Sequence, residues 1–206
     1  PPRSTLFPYT TLFRSVEAAE AGQRVALNLS GTKKDEVERG DILAASGSLR
    51  PSYILDVDLR SLKHSRFQIE NGMRVHLYHA SRELLARVVL LDRDVIEKGD
   101  SAPAQLRLEE QTYIKQGDHF VVRFYSPVET IGGGIVLDPI ANKRKRYEDL
   151  DDFEILRSSD AAARLDLALE SSGLRFKALN EIYYRAGLSS ADGKEYLQEL
   201  IGKGRA

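Results

Sequence analysis

The chain has 206 residues, a formal net charge of −1 and a hydrophobic content of 42%, which is typical of an ordinary folded protein. It contains no cysteine, so disulfides, thiolate metal sites and cysteine nucleophiles are excluded. No apolar run approaches the roughly 20 residues that a membrane-spanning helix requires, which argues against a membrane protein. Because the net charge is close to zero, any contact with nucleic acid must be local.

Residues 1–15, PPRSTLFPYTTLFRS, do not fit the pattern of the rest of the chain. They show neither helical periodicity nor strand alternation, and they lack the apolar core and cleavage site of a secretory signal. The string resembles translated sequencing-adaptor sequence. We therefore interpret residues 1–15 as non-native or disordered, and we expect the natural protein to continue upstream of Val16.

Two short strands are predicted within residues 16–49. Residues 24–29 alternate, so that their apolar side chains share one face, and residues 42–44 follow a Gly-Asp turn. Two strands are too few to close a barrel, so we expect the missing strands to lie upstream.

Residues 50–140 contain a series of short strands separated by turn signals, which predicts a closed antiparallel β-barrel. Asn-Gly at 71–72 and Gly-Asp at 117–118 are such signals, and residues 92–100 form a charged connector. The predicted strands are 53–59, 73–78, 83–91, 104–108 with its continuation to 115, 119–125 and 135–137.

The segment 125–139 reads YSPVETIGGGIVLDP. Its three successive glycines permit either a positive φ or a close approach of neighbouring backbone. Pro139 ends the β region, because proline has no N–H to donate to a sheet. The pattern by itself predicts a β-hairpin with a glycine bulge at its corner.

A basic run at 143–146, KRKR, is followed by the acidic residues Glu148, Asp149, Asp151 and Asp152. This pattern predicts a charged, solvated linker or a helix end over residues 141–158. Contact between the basic run and RNA phosphate is the alternative.

Residues 159–206 show helical periodicity. Asp160 is a predicted N-cap, Gly173 and Gly187 end the first two helices, and Ser189 or Ser190 opens the last. Three short helices, with a turn between the second and third, resemble a helix-turn-helix of the winged-helix type. The wing strands would follow Gly204, so we expect a truncated domain. The apolar positions of the helices lie within 161–169, 176–183 and 196–201.

The string YSPVETIGGGIVLDP resembles the end of the third domain of selenocysteine-specific (SelB-like) elongation factors, and AGQRVALNLSG and ERGDILA resemble their second domain. The resemblance implies that residues 16–49 end an incomplete EF-Tu-like domain II barrel and that 50–140 form the domain III barrel. Residues 141–158 would be the linker, and 159–206 a truncated winged-helix domain. The expected fold class is therefore mainly β-barrel, followed by a small α-helical domain.

Arg24 occupies a GQR position that, by this resemblance, lines the pocket for the selenocysteinyl group. A selenol is ionised near neutral pH, and a fixed guanidinium favours that anion over the neutral hydroxyl of serine. The residue pattern alone leaves open an outward-facing strand arginine in a surface ion pair.

The resemblance also implies that the third-domain barrel contacts the acceptor and T stems of tRNA. Such contacts would go to phosphate and 2′-hydroxyl groups rather than to base edges. The alternative for each residue is an ordinary surface charge. The candidate residues are Lys63, His64, Arg66, Arg87 and Arg123.

No independent active site is visible in the sequence. There is no G-x-x-x-x-G-K-[ST] phosphate loop and no G-x-S-x-G nucleophile elbow. His76 and His79 lie three apart on a predicted strand and so face opposite sides, which argues against a metal site. We expect His76 and His119 to lie in or beside the core with hydrogen bonds. By the resemblance, GTP and Mg²⁺ belong to a domain upstream.

The resemblance implies a cytoplasmic factor that binds selenocysteinyl-tRNA and, in the full protein, delivers it GTP-dependently to the ribosome at recoded UGA codons. Downstream winged helices would bind the mRNA hairpin. One alternative is another translational GTPase without a selenocysteine role. The other is a winged-helix DNA-binding regulator with a β sensor domain, which would need a basic recognition helix.

Overall fold

The structure, a computed structural model, describes residues 18, 20, 22–172 and 178–205. The chain divides into two compact units, residues 1–37 and 38–206. The expectations for residues 1–15, and those for Gly173 and Phe176, lie outside the described residues.

The described part of the first unit contains a one-turn 3-10 helix, Lys34–Glu36. The described part of the second unit contains eight strands and four helices. The strands are β1 (Pro51–Ser61), β2 (Ile69–Glu70), β3 (Arg74–His79), β4 (Arg82–Leu90), β5 (Val95–Ile96), β6 (Ser101–Tyr113), β7 (His119–Phe124) and β8 (Thr130–Asp138). The helices are α1 (Asp151–Arg157), α2 (Ala161–Glu170), α3 (Leu179–Arg185) and α4 (Ser190–Gly202).

Six of these strands form a closed barrel in the order β1-β6-β4-β3-β7-β8. All neighbouring pairs are antiparallel, including the closing pair between β8 and β1. Closure leaves no unpaired sheet edge that could pair with another chain. The two short strands β2 and β5 pair only with each other. The predicted fold class, a barrel followed by a small helical domain, is confirmed.

The barrel encloses one apolar core, because inward and outward side chains alternate along each strand. On β1, Leu55, Val57 and Leu59 point inward and are fully buried. Full burial of one such side chain contributes roughly 1.5–3 kcal/mol. The other inward residues include Val75, Leu77, Leu84, Ala86, Val88, Ala104, Leu106, Val122 and Val136.

The glycine run lies within β8 and brings the backbones of neighbouring strands close together. A Cβ on Gly132 would collide with the carbonyl oxygen of Arg60, and one on Gly133 would lie 2.6 Å from that of Phe120. None of the three glycines has a positive φ, so close approach is the correct alternative. The pairing register between β7 and β8 shifts between Val122 and Arg123, which pair with Gly132 and Thr130. The bulge therefore lies at Ile131, and the prediction that a glycine forms it was wrong.

The two strands predicted within residues 16–49 are wrong. Neither 24–29 nor 42–44 forms regular structure in the part of the chain that the structure describes. A strand requires a hydrogen-bonded neighbour, and no described strand pairs with either segment. Their apolar side chains are exposed accordingly, with Leu27 63% and Leu43 68% accessible. That residues 16–49 end a second barrel domain stays a prediction.

The segment 141–158 is charged but not simply solvated, and it contains helix α1. Phe153 and Leu156 are buried against a patch of the barrel that includes Leu91 and Leu137. Acidic residues in the first turn of the helix favour its N-terminus. The interpretation as a solvated linker missed α1, because a single apolar pair at spacing three is a weak helical signal.

Helices α2, α3 and α4 enclose a second small core formed by Leu165, Ile182, Tyr183 and Leu200, among others. The predicted N-caps are confirmed: Asp160 accepts hydrogen bonds from two backbone N–H groups of α2, and the Ser189 side chain accepts one from α4. Gly187 ends α3 with a φ of +74°. None of the described helices has the length and apolarity required to cross a bilayer.

Candidate nucleic-acid interface

The outward face of β3 carries Arg74, His76 and Tyr78, because Val75 and Leu77 between them point into the barrel. The neighbouring strands add two arginines to this face. Arg87 on β4 pairs opposite Arg74, and Arg123 on β7 pairs opposite His76. Together with Tyr125, which follows β7, these six residues form what we call the basic–aromatic face.

Aromatic rings and cations are in direct contact on this face. The Tyr125 ring stacks on His76, with centroids 5.3 Å apart and an interplanar angle of 11°. The guanidinium of Arg74 lies 4.6 Å from the centroid of Tyr125, and that of Arg123 lies 5.6 Å from the centroid of Tyr78. Both distances fall within the range of cation–π attraction. Tyr125 nevertheless remains 42% exposed.

The arginines of the face differ in their partners. Arg74 makes a bidentate pair with Glu109, with N···O distances of 2.7 and 2.6 Å, and this hydrogen bonding raises the pKa of Arg74. In the described part of the chain, Arg87 and Arg123 instead donate to backbone carbonyls, at 2.7 and 3.0 Å. Carbonyl bonds fix the orientation of these two side chains without neutralising their charge.

The other three predicted tRNA contacts, Lys63, His64 and Arg66, are exposed on the loop between β1 and β2. The loop is held by Phe67, whose ring stacks on Phe124 with centroids 4.1 Å apart. The buried Ser65 hydroxyl bonds both the carbonyl and the N–H of Phe67. Phe124 lies between Arg123 and Tyr125, so the fold brings this loop to the end of β7.

Arg24 is exposed and lies in the first unit, in a segment without regular structure. The hydrogen bond expected for His76 is confirmed, because its Nε2 lies 3.3 Å from the Tyr125 carbonyl oxygen. The expected place in or beside the core is wrong, because the partly buried ring lies on the outward face of β3. The expectation for His119 is wrong, because this side chain is exposed at the start of β7. It occupies an outward position of the strand, whereas Phe120 points inward.

Sequence reasoning missed Arg74, Tyr78 and Tyr125 as members of the face. A signal was present: Arg74, His76 and Tyr78 alternate with apolar residues at period two, which places them on one side of a strand. The pairing of β3 with both β4 and β7 could not be read from that alternation.

The barrel surface around β1 and β8 is covered by the helical part. Arg157 of α1 bonds Asp58 at 2.8 Å, and Arg185 of α3 bonds the buried Asp138 at 2.6 Å. Both carboxylates lie on barrel strands. In the closed ring, β3 lies three strands from β1 in either direction. The basic–aromatic face is therefore on the side of the barrel away from these helix contacts.

The glycine run of β8 does not have the geometry of a phosphate-binding loop. The glycine run is an internal part of β8, with neighbouring backbone at the positions where side chains would be. A phosphate cradle requires free backbone N–H groups at a loop or helix N-terminus. Among the described residues, no group of three or more His, Asp or Glu side chains could hold a metal ion.

The fold and the face define a class of protein: an antiparallel β-barrel with a docked helical domain and with arginine and aromatic side chains on its outer surface. Residues 56–143 match the family model of the selenocysteine-specific elongation factor β-barrel domain. The chain is also similar to a selenocysteine-specific elongation factor of Desulfomicrobium baculatum, with 37% identity over 155 residues, 75% of this chain and 24% of the relative. Residues 56–143 are therefore the β-barrel domain of a member of the selenocysteine-specific elongation factor family. The chain spans about a quarter of the length of that relative.

Proposed function

We propose that this chain is part of a translation elongation factor that binds selenocysteinyl-tRNA. The observation that carries the proposal is the basic–aromatic face, found on a barrel of this family on the side away from the helix contacts. In the part of the chain that the structure describes, Arg87 and Arg123 donate hydrogen bonds to backbone carbonyls, and further N–H groups of each guanidinium could donate to phosphate.

The tRNA stem would lie along β4, β3 and β7. Arg87 and Arg123 would contact phosphates, and Lys63, His64 and Arg66 would extend the contact from the loop at the end of β7. Because these groups are cations on a strand surface and a loop, they would bind the shape and charge of a stem and not its sequence. The overall net charge of −1 makes this local concentration of arginine necessary for RNA binding.

In the whole protein, an upstream domain would bind GTP and Mg²⁺ and control delivery of the aminoacyl-tRNA to the ribosome at recoded UGA codons in the cytoplasm. Arg24 would line the selenocysteinyl pocket of the second barrel domain. Helices α2, α3 and α4 would be the beginning of the winged-helix region, and winged helices further downstream would bind the mRNA hairpin.

Two other functions are less well supported. A translational GTPase without a selenocysteine role would also present a basic barrel face, but the family match is to the selenocysteine branch. A winged-helix DNA-binding regulator would need a basic recognition helix. Helix α4 instead carries Asp192, Glu195 and Glu199 beside Lys194, and Lys203 follows its last residue.

Fluorescence anisotropy of labelled selenocysteine tRNA, titrated with the chain at several salt concentrations, tests the RNA contact. The double variant Arg87→Gln, Arg123→Gln removes two charges and keeps polar side chains. We expect the double variant to bind the tRNA more weakly. In a plot of log Kd against log [salt], its slope should be smaller by about one for each phosphate contact that is lost. Lys145→Gln, an 87% exposed lysine outside the face, is the matched control. Equal losses in both variants would reject the face as the contact surface.

Titration of the full-length factor with selenocysteinyl-tRNA and seryl-tRNA tests the branch of the family. Preference for selenocysteinyl-tRNA supports the proposal. Equal affinity would instead favour a translational GTPase without a selenocysteine role.

A further inference from the structure

The aromatic part of the basic–aromatic face is not explained by contact with an RNA stem. An A-form stem presents phosphates and 2′-hydroxyls to a protein surface, while its bases are stacked inside the helix. Exposed aromatic rings on a β-sheet are typical of proteins that bind unpaired nucleotides, because every base has a π-face that can stack. Tyr125 is such a ring, 42% exposed, with a second ring in parallel contact.

The charges immediately around Tyr125 are already paired. Arg74 is held by both carboxylate oxygens of Glu109, and His76 Nδ1 lies 2.8 Å from a carboxylate oxygen of Glu83. A phosphate at this point would meet two carboxylates, whereas an uncharged base would meet a flat ring backed by an imidazole. The local electrostatics therefore favour a base over a phosphate at Tyr125.

Two arginines that donate hydrogen bonds to backbone carbonyls lie one strand away on each side. Arg87 is directly opposite Arg74 across β3 and β4, and Arg123 is directly opposite His76 across β3 and β7. Such cross-strand neighbours are about 5 Å apart, which is comparable with the spacing between a base and the phosphates of its own nucleotide. The arrangement provides one place for a base and adjacent places for its phosphates.

We propose that Tyr125, whose ring contacts the His76 imidazole and the Arg74 guanidinium, is a stacking site for an unpaired nucleobase of the RNA ligand. The inference rests on the proposed RNA-binding function and specifies what the face binds: a strand end, bulge or loop next to a stem. The proposed contact is stacking, which every base can make through its π-face, so we expect no preference among the four bases.

The variant Tyr125→Leu removes the π-system and keeps an apolar side chain of similar reach, and Tyr125→Phe keeps the ring. Tyr147→Leu is the matched control, because Tyr147 is also exposed and also lies under an arginine, Arg146, at 4.7 Å. Arg146 is tied to the barrel through Leu90, Arg93 and Asp94 and does not belong to the face. Circular dichroism confirms that each variant is folded.

The probe is an RNA hairpin that carries the fluorescent base 2-aminopurine in a single-stranded overhang, compared with the same hairpin carrying it inside the stem. We expect the chain to quench the overhang probe and not the stem probe. Tyr125→Leu abolishes the quenching and weakens overhang binding about tenfold or more. Tyr125→Phe and Tyr147→Leu retain both, and a blunt hairpin binds all variants within about twofold.

The outcomes separate this inference from the proposed function. If hairpins bind but the overhang probe is not quenched, or if Tyr125→Leu binds the overhang as tightly as the natural chain, the stacking site is rejected and stem binding stands. If neither hairpin binds, both are rejected.

Discussion

Arg144, in the segment that follows the barrel, donates a hydrogen bond of 2.7 Å from Nε to the fully buried carboxylate of Asp56 on β1. Its other guanidinium nitrogens pair with Asp152 at the start of α1. Gln105 on the neighbouring strand donates a second hydrogen bond of 2.7 Å to Asp56. One arginine therefore joins the barrel wall to the first helix.

Arg144→Met should destabilise the chain, because it leaves the Asp56 carboxylate buried with only Gln105 as a side-chain partner. Loss of one partner of a buried pair costs about 3 kcal/mol or more. The measurement is the free energy of unfolding in urea at neutral pH. Lys145→Met is the control, because Lys145 is 87% exposed and pairs only with Glu148. The double variant Asp56→Asn, Arg144→Met should recover part of the loss; equal destabilisation of single and double variants would contradict the pairing.

Stability should fall as the pH rises through the weakly acidic range. Burial raises the pKa of Asp56 to about 6, against the opposing effects of Arg144 and Gln105, while the carboxyl in the unfolded chain keeps its ordinary value near 3.8. The native state therefore binds the proton more tightly, and the stabilising contribution is present below about pH 4 and lost by about pH 6. The change is about 3 kcal/mol at most.

Urea unfolding of the natural chain and of Asp56→Asn, at intervals across this pH range, measures the effect. The contribution of Asp56 is the pH-dependent difference between the two chains, because all other groups titrate in both. A difference that stays constant, or one that grows in the opposite direction, would exclude Asp56 as the source.

Gly134→Ala should destabilise the barrel. The new Cβ would collide with the carbonyl oxygen of Asp58 and lie 2.9 Å from the ring of Phe120. Overpacking of this kind costs typically about 1–3 kcal/mol, and more where backbone must move. Gly202→Ala is the matched control, because no atom lies within 4 Å of its added Cβ. Thermal unfolding followed by circular dichroism compares the two, and equal melting temperatures would show that the glycine run is not needed for close approach.

Arg24→Ala in the full-length factor should reduce the preference for selenocysteinyl-tRNA over seryl-tRNA. If the guanidinium binds the ionised selenol, its loss removes a charge-assisted hydrogen bond, which is worth roughly 1.5–3 kcal/mol, or about a 10- to 150-fold change in the affinity ratio. Binding titrations with both aminoacyl-tRNAs give that ratio, and Arg24→Lys tests whether charge alone is sufficient. An unchanged ratio in Arg24→Ala would remove Arg24 from the pocket.

The sequence predicted those parts of the fold that depend on local periodicity. The alternation of Leu55, Val57 and Leu59 was sufficient to place β1, and the capping residues Asp160 and Ser189 located the starts of α2 and α4. The predictions for residues 24–29 and 42–44 failed, because the same alternation forms a strand only when a neighbouring strand is available to accept its hydrogen bonds.

The candidate site could be predicted only in part. Arg87 and Arg123 were identified as cations, but their relation to Arg74 and Tyr125 depends on which strands are neighbours in the closed ring. Likewise, the basic run at 143–146 gave no sign that Arg144 and Arg146 would bind the barrel while Lys145 stayed in solvent, because their acceptors lie more than 50 residues away in sequence.

By itself, the sequence determined the six strands of the barrel and the helical character of the C-terminal region. Both follow from periodic patterns of residues that are near one another along the chain. Whether the glycines of β8 serve a positive φ or a close approach was left open, because the backbone that they meet, at Arg60 and Asp58, lies more than 70 residues away in sequence. Only the tertiary structure decided that β3 lies between β4 and β7, and that arginines from the linker and the helices bind carboxylates of β1 and β8. Closing the barrel brings together side chains that no local pattern relates, and this closure is what creates one basic–aromatic face and leaves it uncovered by these helix contacts.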